Sequence, residues 1–295
     1  MITLSADTTI AQAIAHASEA LQAHSESAKR DAEVLLGHCL ERDRTYLITW
    51  PERCLTAAQA QRFQHLVIQR IAGHPVAHLL GEREFWSLPL YVNSSTLIPR
   101  PDTEVLVEQA LQLNLPAAAR VLDLGTGTGA IALALKHSRP HWQVCAVDKM
   151  PEAVALAQRN ADRLQLNVQV LQSDWFEQLK QYSQPTSTER FDLIVSNPPY
   201  IDAQDPHLSQ GDVRFEPPTA LIAANNGLAD IDTIIGNARD YLANAGWLLI
   251  EHGYQQGEAV RTSFARADYG NIQTIQDYAQ LDRVTLGQWR PNYEQ

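Results

Sequence analysis

Asn197-Pro198-Pro199-Tyr200 is the stretch of this chain whose residue types point most directly to chemistry. It follows the apolar run Phe191-Asp192-Leu193-Ile194-Val195-Ser196, which reads as a buried strand, so the tetrapeptide falls where a strand runs out. In open α/β sheets, ligands bind outside the carboxyl ends of strands. Two successive prolines fix φ and carry no N–H, so this backbone is stiff and only accepts hydrogen bonds. The Asn197 side-chain oxygen and the Pro198 carbonyl form a pair of acceptors suited to an incoming NH2 group, and Tyr200 adds an aromatic face. Taken alone, the same residues would also describe an ordinary proline turn.

What lies upstream narrows the choice. Val121-Leu122-Asp123-Leu124-Gly125-Thr126-Gly127-Thr128-Gly129-Ala130 reads as a buried strand, a glycine-rich turn and a helix start. Glycines let the backbone turn sharply and come close to a ligand. Asp148 closes the next strand, 19 residues past Gly129, where a carboxylate can take ribose hydroxyls. Ser173-Asp174-Trp175-Phe176 ends a third strand, with a carboxylate for an exocyclic amine and an aromatic wall. Glycines used only for strand–helix packing are the plain alternative. A dinucleotide is the sharper one, because Gly125-x-Gly127-x-x-Ala130 with Asp148 fits the relaxed dinucleotide fingerprint. Asp123 ahead of Gly-x-Gly-x-Gly favours S-adenosylmethionine, with the acid and the loop holding its amino-acid end. Hydride transfer would also have no use for Asn-Pro-Pro-Tyr. The expected reaction is methyl transfer to a planar NH2 group. A carboxamide nitrogen is a poor nucleophile, so its lone pair must be aimed by positioning and electrostatics, with no strong base and no metal.

The rest of the composition limits the partners. The 295 residues are 45% hydrophobic and 19% charged, with a formal net charge of −11. Proteins that grip duplex nucleic acid carry a basic face, and no Lys/Arg cluster occurs here. No apolar run approaches the roughly 20 residues of a membrane span. The first residues lack a basic, apolar leader pattern, and Cys39, Cys54 and Cys145 show neither disulfide nor metal-ligand spacing. Nor do the ten histidines show metal-ligand spacing. A cytoplasmic protein without membrane or direct nucleic-acid contact is expected.

The positioning elements follow from periodicity. Residues 1–75 read as a small helical bundle, either a packing module or a partner-docking domain, with Ser27 and Thr56 near helix starts. Residues 76–98 read as a β-hairpin linker, its strands within Phe85–Val92 and Thr96–Ile98. Pro99-Arg100-Pro101-Asp102-Thr103-Glu104 is a stiff turn that feeds a helix, capped by Asp102 or Thr103; Arg100 stands out in it. From Arg120 strand and helix alternate, which predicts a mostly parallel sheet with helices on both faces, in a domain spanning residues 99–295. Strands are expected at 121–124, 143–147, 168–171, 191–196, 247–251, 272–275 and 283–286, and helices at 130–136, 151–164, 229–242 and 256–265. Residues 178–190 read as a surface loop, and 201–218 as a lid or substrate-facing loop.

Over essentially its whole length the chain resembles the protein-(glutamine-N5) methyltransferases that modify peptide chain release factors, the family also called HemK or PrmC. The resemblance is carried by Arg30-Asp31-Ala32-Glu33-Val34-Leu35-Leu36, His78-Leu79-Leu80-Gly81, Leu97-Ile98-Pro99-Arg100-Pro101-Asp102-Thr103-Glu104, the glycine loop, Asn197-Pro198-Pro199-Tyr200-Ile201 and Val213-Arg214-Phe215-Glu216-Pro217. It implies a class I S-adenosylmethionine-dependent methyltransferase fold, Rossmann-like with seven strands, behind a helical bundle that docks the substrate. It implies methylation of the glutamine of Gly-Gly-Gln in class 1 release factors, in support of translation termination, with S-adenosylhomocysteine as the product. Gly125, Thr126, Gly127, Thr128, Gly129, Asp148, Trp175 and Asn197 would surround the cofactor, joined on our reading by Asp174 and Arg100. Asn197, Pro198, Pro199 and Tyr200 would hold the glutamine, with Asn197, Pro198 and Tyr200 taking part in catalysis. Glutamine methylation of a ribosomal protein and N6-adenine methylation of nucleic acid are the neighbouring reactions. The second needs base flipping and a basic channel. A binding module with a degenerate cofactor fold is the non-enzymatic alternative, and the intact glycine loop, Asp148 and Asn197 speak against it.

Overall fold

A computed structural model describes residues 4–181 and 190–290. The chain forms two compact units, Met1–Glu82 with Pro206–Phe215, and Arg83–Asp205 with Glu216–Gln295. Most of the surface loop expected at 178–190 lies outside the described residues; its first part, Gln178–Gln181, is a 3-10 turn.

In the first unit the described helices are α1 (Ile10–Leu21), α2 (Ala28–Leu40), α3 (Arg44–Thr49), α4 (Ala57–Ile71) and α5 (Val76–Leu80). Thr9 with Gln12 and Thr56 with Gln59 form reciprocal capping boxes that satisfy the first free N–H groups of α1 and α4. Ser27 stands at the cap position of α2 but makes no cap bond. Its hydroxyl donates instead to Asp31 Oδ1 at 2.8 Å, while Ser25 donates to Oδ2 at 2.8 Å. The core joins Ile10, Ala17 and Leu21 to Leu35, Leu36, Phe63 and Val67, the apolar stripes of α1, α2 and α4. The short α3 and α5 were not expected. With six and five residues they show too little periodicity to be read, although Asp43 caps α3 through a 2.8 Å bond to the Tyr46 N–H.

Arg70 is buried in this unit along with the carboxylates of Asp31 and Glu33. Its Nε donates to Asp31 Oδ2 at 2.7 Å, and Nη1 donates to Asp212 Oδ1 at 2.7 Å and to the His74 carbonyl at 3.2 Å. The segment after Pro206, expected as a lid or substrate-facing loop, therefore supplies a partner inside the helical unit through Asp212.

The second unit opens with a hairpin, β1 (Glu82–Phe85) and β2 (Leu88–Tyr91). Its turn is Trp86-Ser87, with φ of 54° and 59°, the left-handed pair that matches strand twist in a two-residue hairpin. The hairpin thus ends before Val92, and Thr96–Ile98 is not a strand. The Trp86 N–H donates to Glu104 Oε1 at 2.8 Å and its indole N–H to Ser138 Oγ at 2.9 Å, which fastens the turn.

The remaining elements are α6 (Glu104–Gln112), β3 (Arg120–Leu124), α7 (Ala130–Ser138), β4 (Gln143–Asp148), α8 (Pro151–Leu164), β5 (Gln169–Gln172), β6 (Phe191–Ser196), α9 (Ala229–Ala238), β7 (Leu242–Glu251), α10 (Gly257–Arg266), β8 (Tyr269–Gln276) and β9 (Asp282–Trp289). The sheet has seven strands in the order β5-β4-β3-β6-β7-β9-β8. The first five are parallel, and β9 runs antiparallel between β7 and β8. The largest shift of a helix boundary is at α9, expected to run to Leu242 and ending at Ala238; α7 and α10 differ from expectation by one or two residues. Leu242 pairs with Phe191 and Trp247 with Leu193, so Ala243–Gly246 bulges out of the ladder, with Ala245 at φ 62°. The bulge breaks the alternation of β7, so the expected strand begins only at Trp247 and Leu242 reads as the end of the preceding helix.

Candidate active site

Chain reversal about β3 opens the crevice. The chain steps from β3 outward to β4 and β5, then returns to β6 on the opposite side of β3. In parallel sheets such a switch point is where ligands bind. Leu124 pairs with both Val147 and Ser196, so Gly125, Asp148 and Asn197 leave the sheet at one edge. The loop after β5 joins them, because Asp148 pairs with Gln172.

There the second unit holds a cavity of about 380 Å³. Gly125, Thr126, Gly127, Thr128, Asp148, Asp174, Trp175, Asn197, Pro199 and Arg100 line it, so the structure brings most of the expected site residues together. Gly129 does not line it. At φ +85°, it begins α7 against Ala157, where an added Cβ would lie 3.3 Å from the Ala157 Cβ. Gly127 has φ +56° and only Thr96 near its missing Cβ, at 3.8 Å, so its backbone face is open to the cavity. Pro198 and Tyr200 are not among the lining residues; Pro198 is buried and Tyr200 partly buried.

Asp123 was expected to hold a cofactor's amino-acid end. Fully buried, it lies beneath the loop instead: the Thr126 hydroxyl donates to its Oδ2 at 2.6 Å and the Ala132 N–H at 3.2 Å. Its role is to brace the glycine loop against α7, and burial pushes its carboxyl up to about 7. Asp148 does face the cavity. Oδ2 accepts the Gly127 N–H and Oδ1 the Met150 N–H, both at 2.9 Å. The carboxylate keeps acceptor capacity for a hydroxyl beyond these N–H groups. Burial raises its pKa against the opposing pull of the Met150, Gly127 and Lys149 N–H groups.

Other lining residues are already partnered. Asp174 pairs with Lys149 Nζ at 2.7 Å, and Trp175 adopts φ 47°. Arg100 Nη2 donates to Glu216 Oε2 at 2.7 Å, and the Ile98 N–H donates to Oε1 of the same buried carboxylate at 3.0 Å. Glu216 thereby fixes the turn before α6. Its chain neighbours close a loop whose limbs meet at Ile201 and Ile222, and the returning limb puts Thr219, Ala220 and Ile222 in the cavity wall.

At Asn197 the side chain is oriented. Nδ2 donates to Thr103 Oγ1 at 3.2 Å, and Oδ1 accepts no hydrogen bond from the described residues. Thr103 makes no cap bond to α6, so the hydroxyl expected to cap that helix serves Asn197 instead. Residues missed by sequence reasoning include Thr96, Thr103, Asp230 and Asn160. Asn160, fully buried in α8, accepts the Tyr91 N–H at 2.7 Å and donates to the carbonyls of Tyr91 and Thr128 at 3.0 and 2.9 Å. An asparagine in line with the buried Ala153, Leu156 and Ala157 of α8 was the available signal.

This strand order, with a glycine loop after β3 and an acid ending β4, defines a class I methyltransferase fold. A family model for the methyltransferase small domain matches residues 101–212, and one for the PrmC N-terminal domain matches residues 12–81. A methyltransferase crystal structure from Pyrococcus furiosus superposes with a TM-score of 0.51 at 16% identity, over 77% of this chain and 98% of that one. A protein of Shewanella oneidensis named release factor glutamine methyltransferase is 55% identical over 281 residues, 95% of this chain and 96% of its own. The Escherichia coli protein of the same name is 56% identical over 266 residues, 90% of this chain and 94% of its own. The chain belongs to the release factor glutamine methyltransferase family.

Proposed function

We propose that this enzyme methylates the side-chain amide nitrogen of the glutamine in the Gly-Gly-Gln motif of class 1 release factors, with S-adenosylmethionine as donor. The observation that carries the reading is Asn197, whose Nδ2 is tied to Thr103 and whose Oδ1 is left to accept at a cavity edge. The residues present fit the donor. The open face of Gly127 suits close approach, Asp148 retains lone pairs for ribose hydroxyls, and Ile131, Met150 and Ala153 give apolar walls. When bound, the cofactor supplies a methyl group on a positively charged sulfur that departs neutral, so neither acid nor metal assistance is required.

The chain's own part is to aim the amide. Asn197 Oδ1 and the Pro198 carbonyl accept the two hydrogens of the substrate NH2, which fixes its plane and makes charge loss at nitrogen easier. The proline pair stiffens the backbone that carries the Pro198 carbonyl, and the bond to Thr103 keeps the Asn197 amide from rotating away. The proton leaves late, to water. Holding reactants in this way is worth roughly 7–11 kcal/mol at its ideal limit. Docking of the release factor is assigned to the helical unit, and the cytoplasm is the compartment in which this substrate is met. Among the described residues no helix is long and apolar enough to cross a membrane.

Labelled methyl transfer to release factor, ribosomal protein and DNA, offered side by side, tests the assignment. Incorporation into release factor alone is expected; label in DNA would move the reading to adenine, and label in ribosomal protein to the neighbouring glutamine target. For Asp148→Ala, cofactor affinity is expected to fall by about 10- to 150-fold, the 1.5–3 kcal/mol of hydrogen bonds to a charged group. Turnover at saturating donor should change far less. Calorimetry with S-adenosylmethionine and with NAD checks this, and affinity for NAD alone would end the cofactor assignment.

A further inference from the structure

Glu251 is buried beside the reacting turn. Ser196 pairs with Ile250, so Asn197 and Glu251 leave neighbouring strands side by side. The residue is 1% exposed, and its Oε2 has no hydrogen-bond partner. The Tyr200 hydroxyl donates to Oε1 at 3.4 Å, and the Thr103 side chain faces the same carboxylate and favours its charged form.

Thr103 is the link to the chemistry. Its oxygen accepts from Asn197 Nδ2 at 3.2 Å, so its own hydrogen must point elsewhere. An ionised carboxylate offers acceptors only. It therefore draws the hydroxyl hydrogens of both Thr103 and Tyr200, and a Thr103 hydroxyl held in that way presents a lone pair to Asn197. The Asn197 amide then has one allowed orientation, with Nδ2 on Thr103 and Oδ1 toward the cavity. We propose that Glu251 is a positioning residue for methyl transfer, acting through Thr103 to set which end of the Asn197 amide meets the substrate. The proposal rests on the reading of Asn197 as an acceptor of the glutamine NH2.

The surroundings set its titration. Arg283 on β9 favours the charged form, and Asp102 on the turn before α6 opposes it. Arg283 itself is held by Asp277 at 3.0 Å, and His252 is turned away onto Thr285 at 2.8 Å. Burial outweighs these partners and raises the Glu251 carboxyl to about 7. Below that pH it carries a proton and can donate, so the orientation of Thr103 is no longer enforced. The expected sign is a turnover that rises with pH through about 7.

The test is kcat against pH at saturating donor and saturating Gly-Gly-Gln substrate, for wild type, E251Q, T103V, T103S and the E251Q/T103V double variant. Saturation with donor separates this limb from titration of Asp123, which braces the cofactor loop. Glu251→Gln keeps shape but adds donors, and it is expected to lower kcat by about 10- to 100-fold, as misplacement of a reacting group does. Its cofactor affinity should stay within about twofold, and the limb near pH 7 should vanish. Thr103→Val should match it, Thr103→Ser should keep the wild-type profile, and the double variant should be no worse than the poorer single, since the two act in series. A kcat for E251Q within twofold of wild type, a retained pH limb, or additive losses would overturn the proposal. If E251Q fails to bind cofactor, the T103V profile decides by the same criteria. Wild-type enzyme inert on the glutamine substrate would instead remove the functional reading, and the proposal with it.

Discussion

Asn197→Ala is expected to lower the rate of methyl transfer by about 10²–10³ while the protein stays folded, the usual cost of removing one preorganised donor or acceptor at a reacting centre. Two acceptors hold the amide plane, and the variant leaves only the Pro198 carbonyl. The amide can then rotate about its remaining hydrogen bond, and the nitrogen lone pair loses its aim. The loss should fall on kcat more than on KM, because the glutamine side chain is a small part of the surface that binds a release factor. Single-turnover rates with excess donor measure it. Activity within a few-fold of wild type would rule out positioning by Asn197. Thr103, a buried residue of the cavity wall, would be left with one unanswered lone pair.

Arg70→Ala is expected to destabilise the helical unit by about 3–5 kcal/mol, the cost of breaking a buried ion pair from one side. The side chains of Arg70 and Asp31 are each 9% exposed, whereas Asp212 is 36% exposed, so the uncompensated charge is that of Asp31. Ser25 and Ser27 donate to Asp31 but cannot neutralise it. Urea melts of the two proteins give the difference. A change below about 1 kcal/mol would mean that water reaches Asp31 when the arginine is gone. The lesion should leave the affinity for S-adenosylmethionine unchanged in the fraction that remains folded, since the cavity lies in the other unit.

The site residues that could be read from the sequence are those whose meaning is local. A proline pair, a glycine triplet and an acid at a strand end each carry their geometry within a few residues, so Asn197, Gly127 and Asp148 could be placed before any neighbour was known. Glu251, Glu216 and Asn160 could not. Each is an ordinary polar residue in its own segment, and its role comes from a partner 51, 116 or 69 positions away. Asp123 was legible only in part: its Oδ2 is taken up by Thr126 and the start of α7, which only packing reveals, while its Oδ1 has no hydrogen-bond partner. Helices and strands with strong periodicity could likewise be read from the sequence. The bulge in β7 and the short α3 and α5 hide theirs.

The excursion of Pro206–Phe215 into the helical unit also has a consequence for the newborn chain. Arg70 and Asp212 are 142 residues apart, so at roughly 5–20 residues per second the ribosome needs about 7–30 s to supply the second partner after the first. During that interval α1 to α5 can collapse around Leu35 and Phe63, yet Arg70 has Asp31 and the His74 carbonyl without its second carboxylate. The N-terminal unit is therefore begun first but gains its last segment only after much of the second unit has been made. Its last ion pair waits until the Asn197 turn has already been translated, so assembly of the two units is coupled in time by the order of synthesis.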